Sequence, residues 1–186
     1  IGRQDQYIAA YGGLKFMRFL PDGEVAVEDV MVGKNRQALG ASLLLFYTNV
    51  TRQANTILKE QSEKTPERKE NLDAIKQLAL RAREAILNEE YDQIGHILAE
   101  NWGLKKDLAA GISNPDIDRM VECATRGGAL GCKISGAGGG GFLLTYCPRE
   151  KKNALRKAMR GYREMPFFLE RFGSKVIFNV ESYEWK

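Results

Sequence analysis

Cys132 to Tyr146 reads CKISGAGGGGFLLTY, with five glycines in the six residues 136 to 141 and Ala137 the exception. Nothing else in the chain restricts the fold as tightly. Two apolar runs of strand length on either side of a short, glycine-filled connection read as an antiparallel pair. Successive glycines let the connecting backbone take positive φ or approach another segment closely. A plain hairpin tip seldom needs so many, because ordering each glycine costs backbone entropy. The turn therefore reads either as main chain brought against a ligand or a ligand-holding segment, or as a bare tip.

Gly136, Ala137, Gly138, Gly139, Gly140 and Gly141 match the spacing G-x-G-x-x-G. A dinucleotide-binding loop of that pattern follows a strand and opens a helix. Here FLLTYC follows, which is strand, so that reading fails on context. No G-K-[ST] closes the loop, so a Walker A reading fails too. What survives is a turn of nearly side-chain-free residues whose backbone N–H groups can form a concave nest for an anion. Lys133 and Ser135 precede it two residues apart on an alternating strand and share one face. They read as contacts to anionic substrate oxygens, or as an ordinary exposed strand lysine and serine.

Upstream, GRQDQYIAAYGG reads as a short helix ended by Gly12 and Gly13. LKFMRFL and EVAVEDVMV flank Pro21-Asp22-Gly23 as a hairpin. ASLLLFYTN, Ala41 to Asn49, reads as a strand buried on both faces, and some eighty residues of helical pattern follow. In them, Thr65-Pro66-Glu67 reads as a helix start with a capping hydroxyl. Leu72, Ile75, Ala79, Ala82 and Ile86 form a buried stripe, with Lys76, Arg81 and Arg83 in water. Ser113 and Asp116 read as a capping box. The tail reads strand, glycine turn, strand, helix from Pro148 to Tyr162, a short FFLE strand and a last strand from Lys175 to Ser182. Helices and antiparallel strands in separate runs predict an α+β fold, a sheet covered by helices on one side.

Three cysteines with no C-x-x-C pair and a single His96 offer neither a zinc site nor a disulfide framework, so the metal expectation for this chain is none. No apolar run nears the length of a bilayer span and IGRQDQ lacks secretory features, which predicts a cytoplasmic protein without membrane contact. The net charge of +4 is concentrated in residues 148–186, where ten Lys and Arg face five Asp and Glu. Nucleic-acid binding would want aromatics interleaved with those bases on a sheet face. Phe167, Phe168 and Phe172 instead cluster beside Met165 and Pro166, so no nucleic-acid partner is expected.

Asp5, early in the first helix, reads as an acid favoured by the helix dipole or as a carboxylate that takes a proton from an attacking hydroxyl. Taken together, GRQDQYIAAYGG, LLLFYTN, GISNPDID and GALGCKISGAGGGG resemble the second half of the GHMP kinases, the family of galactokinase, homoserine kinase and mevalonate kinase. The resemblance implies a ferredoxin-like C-terminal domain over residues 51–186, and in residues 1–50 a remnant of the N-terminal domain. It also implies transfer of the γ-phosphoryl of ATP, with Mg²⁺, to a sugar or sugar-phosphate, here the anomeric hydroxyl of a heptose 7-phosphate. Asp5 would be the catalytic carboxylate. Arg3, Tyr7 and Ser135 would contact the substrate, while Lys133 and residues 136–141 would lie beside the nucleotide phosphates.

Family members carry a phosphate loop of the type P-x-x-x-G-L-G-S-S upstream, and no such stretch occurs in these 186 residues. The expectation is an N-terminal half missing from this chain, no kinase activity without it, and LLLFYTN edges that invite a homodimer. A different class of function, a non-catalytic ferredoxin-like module for small-molecule binding or assembly, predicts ligand binding indifferent to Asp5.

Overall fold

A computed structural model of the chain describes residues 3–30, 35–50 and 54–178. The first helix, α1 (Gln4–Tyr11), ends at Gly12 with φ 63°. A Cβ on Gly12 would stand 2.2 Å from the backbone of Phe172 and Gly173, so only glycine lets these segments touch. The hairpin β1 (Lys15–Phe19) and β2 (Val25–Asp29) follows in the register Lys15↔Asp29 to Phe19↔Val25. Gly23 (φ 92°) turns it, while Asp22 accepts a 2.9 Å hydrogen bond from the Glu24 amide. Arg83 joins this hairpin to the helical block by a forked pair with Glu28, at 2.6 and 3.0 Å.

After α2 (Asn35–Gly40) comes β3 (Leu43–Tyr47), then α3 (Ala54–Glu63), a 3₁₀ turn at Thr65–Arg68, α4 (Lys69–Leu87), α5 (Tyr91–Lys106) and α6 (Pro115–Arg126). The chain closes with β4 (Gly131–Ile134), β5 (Phe142–Tyr146), α7 (Lys152–Ala158) and β6 (Arg163–Glu164). These last four strands in chain order stand in space as β4-β5-β3-β6, every pair antiparallel. Strand, helices, two strands, helix, strand with that order is the ferredoxin-like arrangement, an α+β fold. The sheet takes β3 from the first fifty residues and its other strands from the rest.

Alternation along the strands separates two cores. Leu44, Phe46, Cys132, Ile134 and Leu143 face Ile117, Met120 and Ala124 of α6 and Leu155 of α7. Leu43 and Tyr146, on the opposite face, meet Leu78, Ala85, Ile94 and Ile97 of α4 and α5. Helices thus reach both faces, beyond the one-sided cover read from the sequence.

Several local expectations are corrected. β3 is not buried on both faces: Leu44 and Phe46 are, whereas Leu43, Leu45 and Tyr47 are half-covered. Nor is it an open edge, since it pairs with β5 on one side and β6 on the other, which removes the edge on which the homodimer expectation rested. The stripe of α4 runs through Leu78 and Ala85 rather than Ala79, and Arg83 is half-buried against Glu28. The Thr65 hydroxyl caps nothing. It donates back to the Gln61 carbonyl at 2.9 Å.

At α6 the cap is Asn114, whose Oδ1 accepts from the amides of Asp116 and Ile117, both at 3.0 Å; Ser113 donates instead to Asp118 at 2.8 Å. Pro115 is the reason: it disfavours helical backbone in the residue before it, which makes extended Asn114 (φ −153°) the boundary. The FFLE strand is absent. Pairing to β3 occurs earlier, at Arg163–Glu164 and through Met165 N–H to Leu45 O at 2.8 Å, and Pro166 then brings no N–H to continue it. Residues 175–178 carry no strand either, and the rest of that expected strand lies outside the described residues.

Candidate functional site

The glycine turn is built by three stretches far apart in sequence. At the end of β3, Asn49 takes the left-handed conformation (φ 57°) that asparagine tolerates. Thr48 then gives both its amide and its hydroxyl to Gly141 O at 3.0 Å. In return, Gly141 N–H donates to Val50 O at 2.9 Å. From the linker between α5 and α6, the Ile112 carbonyl accepts from Gly139 N–H at 2.8 Å. A Cβ on Gly140 would lie 2.3 Å from Val50 O, and one on Gly138 2.9 Å from the Ile112 side chain. LLLFYTN, GISNPDID and the glycine run therefore meet at one place.

Close approach of main chain accounts for part of the glycine content, and two of the turn's amides are committed to it. The amides of Gly136, Ala137 and Gly138 donate to no carbonyl among the described residues. Gly136 (φ 70°) and Gly138 (φ 105°) bracket Ala137, whose φ is negative. Amides left over in a turn of this kind are available to an anion.

A side chain that the sequence reading missed stands against this turn. Lys105, in the last turn of α5, donates its Nζ to Gly136 O. Two glycines bring it there. α5 crosses β4 where a Cβ on Gly131 would fall 1.9 Å from Gly95 O, and one on Gly95 2.6 Å from Leu130 Cβ. From that crossing, ten helical residues advance about 15 Å to Lys105. Five extended residues advance about 17 Å to Gly136. Both end at the same level. Lys133, half-buried on β4 and in register with Leu144, lies close enough to be felt electrostatically. Burial first, and Lys133 second, hold the Lys105 ammonium down at about 8, and burial also lowers Lys133. Ser135, on the same strand face, is exposed.

The other expected residues sit on α1. Asp5 lies in its first turn, exposed, and no side chain caps the helix at Arg3. Tyr7 stacks on Tyr11 (6.4 Å between centroids) and meets the Phe19 edge at 5.8 Å, so its ring is held by the hairpin. Arg3 lies over Phe19 at 5.6 Å and donates to Gly23 O at 3.2 Å. Behind them, Gly13 N–H bonds Glu170 O and Ser174 N–H bonds Ala9 O. These partners and those of the glycine turn have no residue in common.

Magnesium is held by oxygen ligands, usually one or two carboxylates with substrate phosphates and water. Among the described residues no three His, Cys, Asp or Glu gather to hold a metal ion. The turn itself is flanked by lysines rather than acids, so these residues do not form a magnesium site. Nor is any helix among the described residues long and apolar enough to cross a membrane.

Residues 82–163 match the family described as GHMP kinases C terminal. The D-glycero-alpha-D-manno-heptose 7-phosphate kinase of Campylobacter jejuni is 37% identical over 163 residues, 86% of this chain and 48% of that protein. A mevalonate kinase of Saccharolobus solfataricus is 29% identical over 157 residues, 83% of this chain and 46% of that protein. Among solved structures, a D-glycero-D-manno-heptose 1-phosphate kinase from Bacteroides thetaiotaomicron superposes with a TM-score of 0.67 at 25% identity, covering 96% of this chain and 50% of that one. The chain spans about half the length of these relatives.

Proposed function

We propose that this chain, which matches the GHMP kinases C terminal family over residues 82–163, is part of an ATP-dependent kinase acting on a sugar phosphate, with the anomeric hydroxyl of a heptose 7-phosphate as acceptor. The observation that carries this reading is the convergence of three family segments on one anion-receptive turn backed by Lys105 and Lys133. In such a transfer the acceptor oxygen bonds to the γ-phosphorus, the bond to the β-phosphate oxygen breaks, and ADP leaves. Little covalent chemistry falls to the protein beyond placing the partners and handling charge and one proton.

Asp5 takes that proton from the acceptor hydroxyl, as an exposed carboxylate with no capping duty at Arg3 is free to do. Arg3 and Tyr7 border the sugar from the α1 side, and Ser135 from the turn side. The main chain of residues 136–141 lies beside the phosphates. A glycine-serine phosphate loop, absent from these 186 residues, comes from a segment outside them and supplies further amides to ATP and a hydroxyl toward Mg²⁺. We assign α1 and its hairpin, within residues 1–50, to the N-terminal domain of that enzyme, with β3 in the C-terminal sheet.

The test is transfer of radiolabelled γ-phosphate to a panel of sugars and sugar phosphates, by this chain alone and by the full protein that contains it. Transfer to heptose 7-phosphate by the full protein, with none by this chain, is expected. Turnover by these 186 residues alone would contradict the need for a supplied loop.

A further inference from the structure

A hollow of about 540 Å³ opens between α2, the start of β3, α7 and the segment that follows β6. Its place follows from where the sheet stops pairing. Cys147 N–H donates to Ser42 O at 2.8 Å and Leu130 N–H to Tyr146 O at 2.9 Å, so Ser42 faces β5 and its neighbour Leu43 faces the opposite edge of β3. On that edge Met165 N–H reaches Leu45 O at 2.8 Å, and Pro166 has no N–H to carry the pairing on. The chain leaves the sheet there, and the N–H and C=O of Leu43 find no backbone partner among the described residues. Five extended residues, about 17 Å, separate Leu43 from Thr48 at the glycine turn.

The lining has an apolar and a cationic part. Leu44, Met165, Phe167 and Leu169 belong to the first, with Phe168 beside them 92% exposed. Arg36, Lys152 and Arg156 belong to the second, against a single lining carboxylate, Glu164. Arg156 already holds that carboxylate at 2.7 and 2.8 Å. Lys152 donates to Ala41 O at 2.7 Å, and neither it nor half-buried Arg36 makes an ion pair among the described residues. Glu170, exposed and outside the lining, feels the Arg36 charge, but its carboxylate accepts from the amides of Arg171 and Phe172. A partly covered guanidinium without an acid has lost hydration with nothing in exchange. What stays unmatched suits one negative charge.

We propose that this hollow is a binding site for a small organic carboxylate with an apolar body, its head on Arg36 and Lys152 and its body along Leu44, Met165 and Phe167. The volume lies within the range of small-molecule sites, which are mostly apolar with a few polar groups that fix orientation. The planar fork of Arg36 matches a carboxylate, and the unpaired main chain of Leu43 offers one further polar contact. The site goes beyond the kinase reading and does not rest on it.

The experiment is a calorimetric titration of the full protein that contains this chain with three probes. These are 4-phenylbutyrate, 4-phenylbutanol, which has the same body without the charge, and acetate, which has the charge without the body. One 4-phenylbutyrate per chain is expected, with the alcohol and acetate each at least tenfold weaker. Arg36→Gln should weaken 4-phenylbutyrate at least tenfold, as loss of a charged hydrogen-bonding partner does. Gly40 offers a blocking variant. Its backbone is not left-handed and a Cβ there would make an ordinary 3.6 Å contact with Leu169, so Gly40→Phe fills the hollow and should abolish binding. Lys157→Gln, on α7 but outside the lining, should bind as the parent does. Melting curves that match the parent show that the variants fold; should Gly40→Phe unfold, Arg36→Gln decides. Absence of 4-phenylbutyrate binding overturns the proposal, as does binding undiminished in Arg36→Gln or in a folded Gly40→Phe. An alcohol that binds as tightly as the acid, or acetate that does, overturns it as well.

Discussion

Gly140 and Gly136 belong to the same turn for different reasons. A Cβ at 140 would run into Val50 O at 2.3 Å, whereas one at 136 meets nothing within 4 Å and is opposed only by φ 70°. Gly140→Ala therefore overpacks a backbone contact, at about 2 kcal/mol. Gly136→Ala carries the left-handed penalty alone, at about 1 kcal/mol. In thermal unfolding the first is expected to lower Tm by about 4–8 °C and the second by about half that; equal losses would contradict the assignment. Lys105 adds a pH signature. With its ammonium held at about 8, the protonated fraction falls as pH rises from 7 to 9. Stability moves the opposite way. Between about 8 and the ordinary 10.5 the unfolded chain holds the extra proton, so the Lys105 contribution to stability rises with pH across that window, measurable by denaturant melts. Lys133 was legible because strand alternation places it with Ser135. Lys105 was not, since a lysine in the last turn of a helix is already explained by the helix dipole. Only the tertiary crossing at Gly95 reveals its second use.

At the scale of elements, the α5–β4 crossing determines where the site can form. Gly131→Val would place a branched side chain on the carbonyl of Gly95, and α5 would have to lift from the sheet. The expected result is marked destabilisation, read by thermal melting. A Gly131→Val variant that melts as the parent does would contradict the role given to the crossing. Elements with local signatures were legible: α1 with its glycine stop, the Pro21-Asp22-Gly23 hairpin, and the strands around the glycine run. Errors arose where neighbours decide. The continuous apolar run of β3 resembles a strand buried on both faces, yet its pairing and the reach of α4 and α5 leave Leu45 and Tyr47 half-covered. FFLE had strand composition, but Pro166 lies directly after the last pairing amide, a context that composition does not convey.

Over the whole molecule, the order of strands and helices was sufficient for the fold class, because strand, helices, hairpin, helix and strand close naturally into a β4-β5-β3-β6 sheet. The expected site residues fall into two groups, one on α1 with its hairpin and one at the glycine turn. Their joint action is the central claim. It is tested most directly by Asp5→Asn in the full protein that contains this chain, with phosphoryl transfer and nucleotide binding measured side by side. Loss of a positioned base should cut transfer by about 10²–10⁴-fold. Nucleotide affinity should stay within about twofold, because Asp5 is assigned to the acceptor hydroxyl and not to the phosphates. Transfer undiminished in the variant would contradict the account.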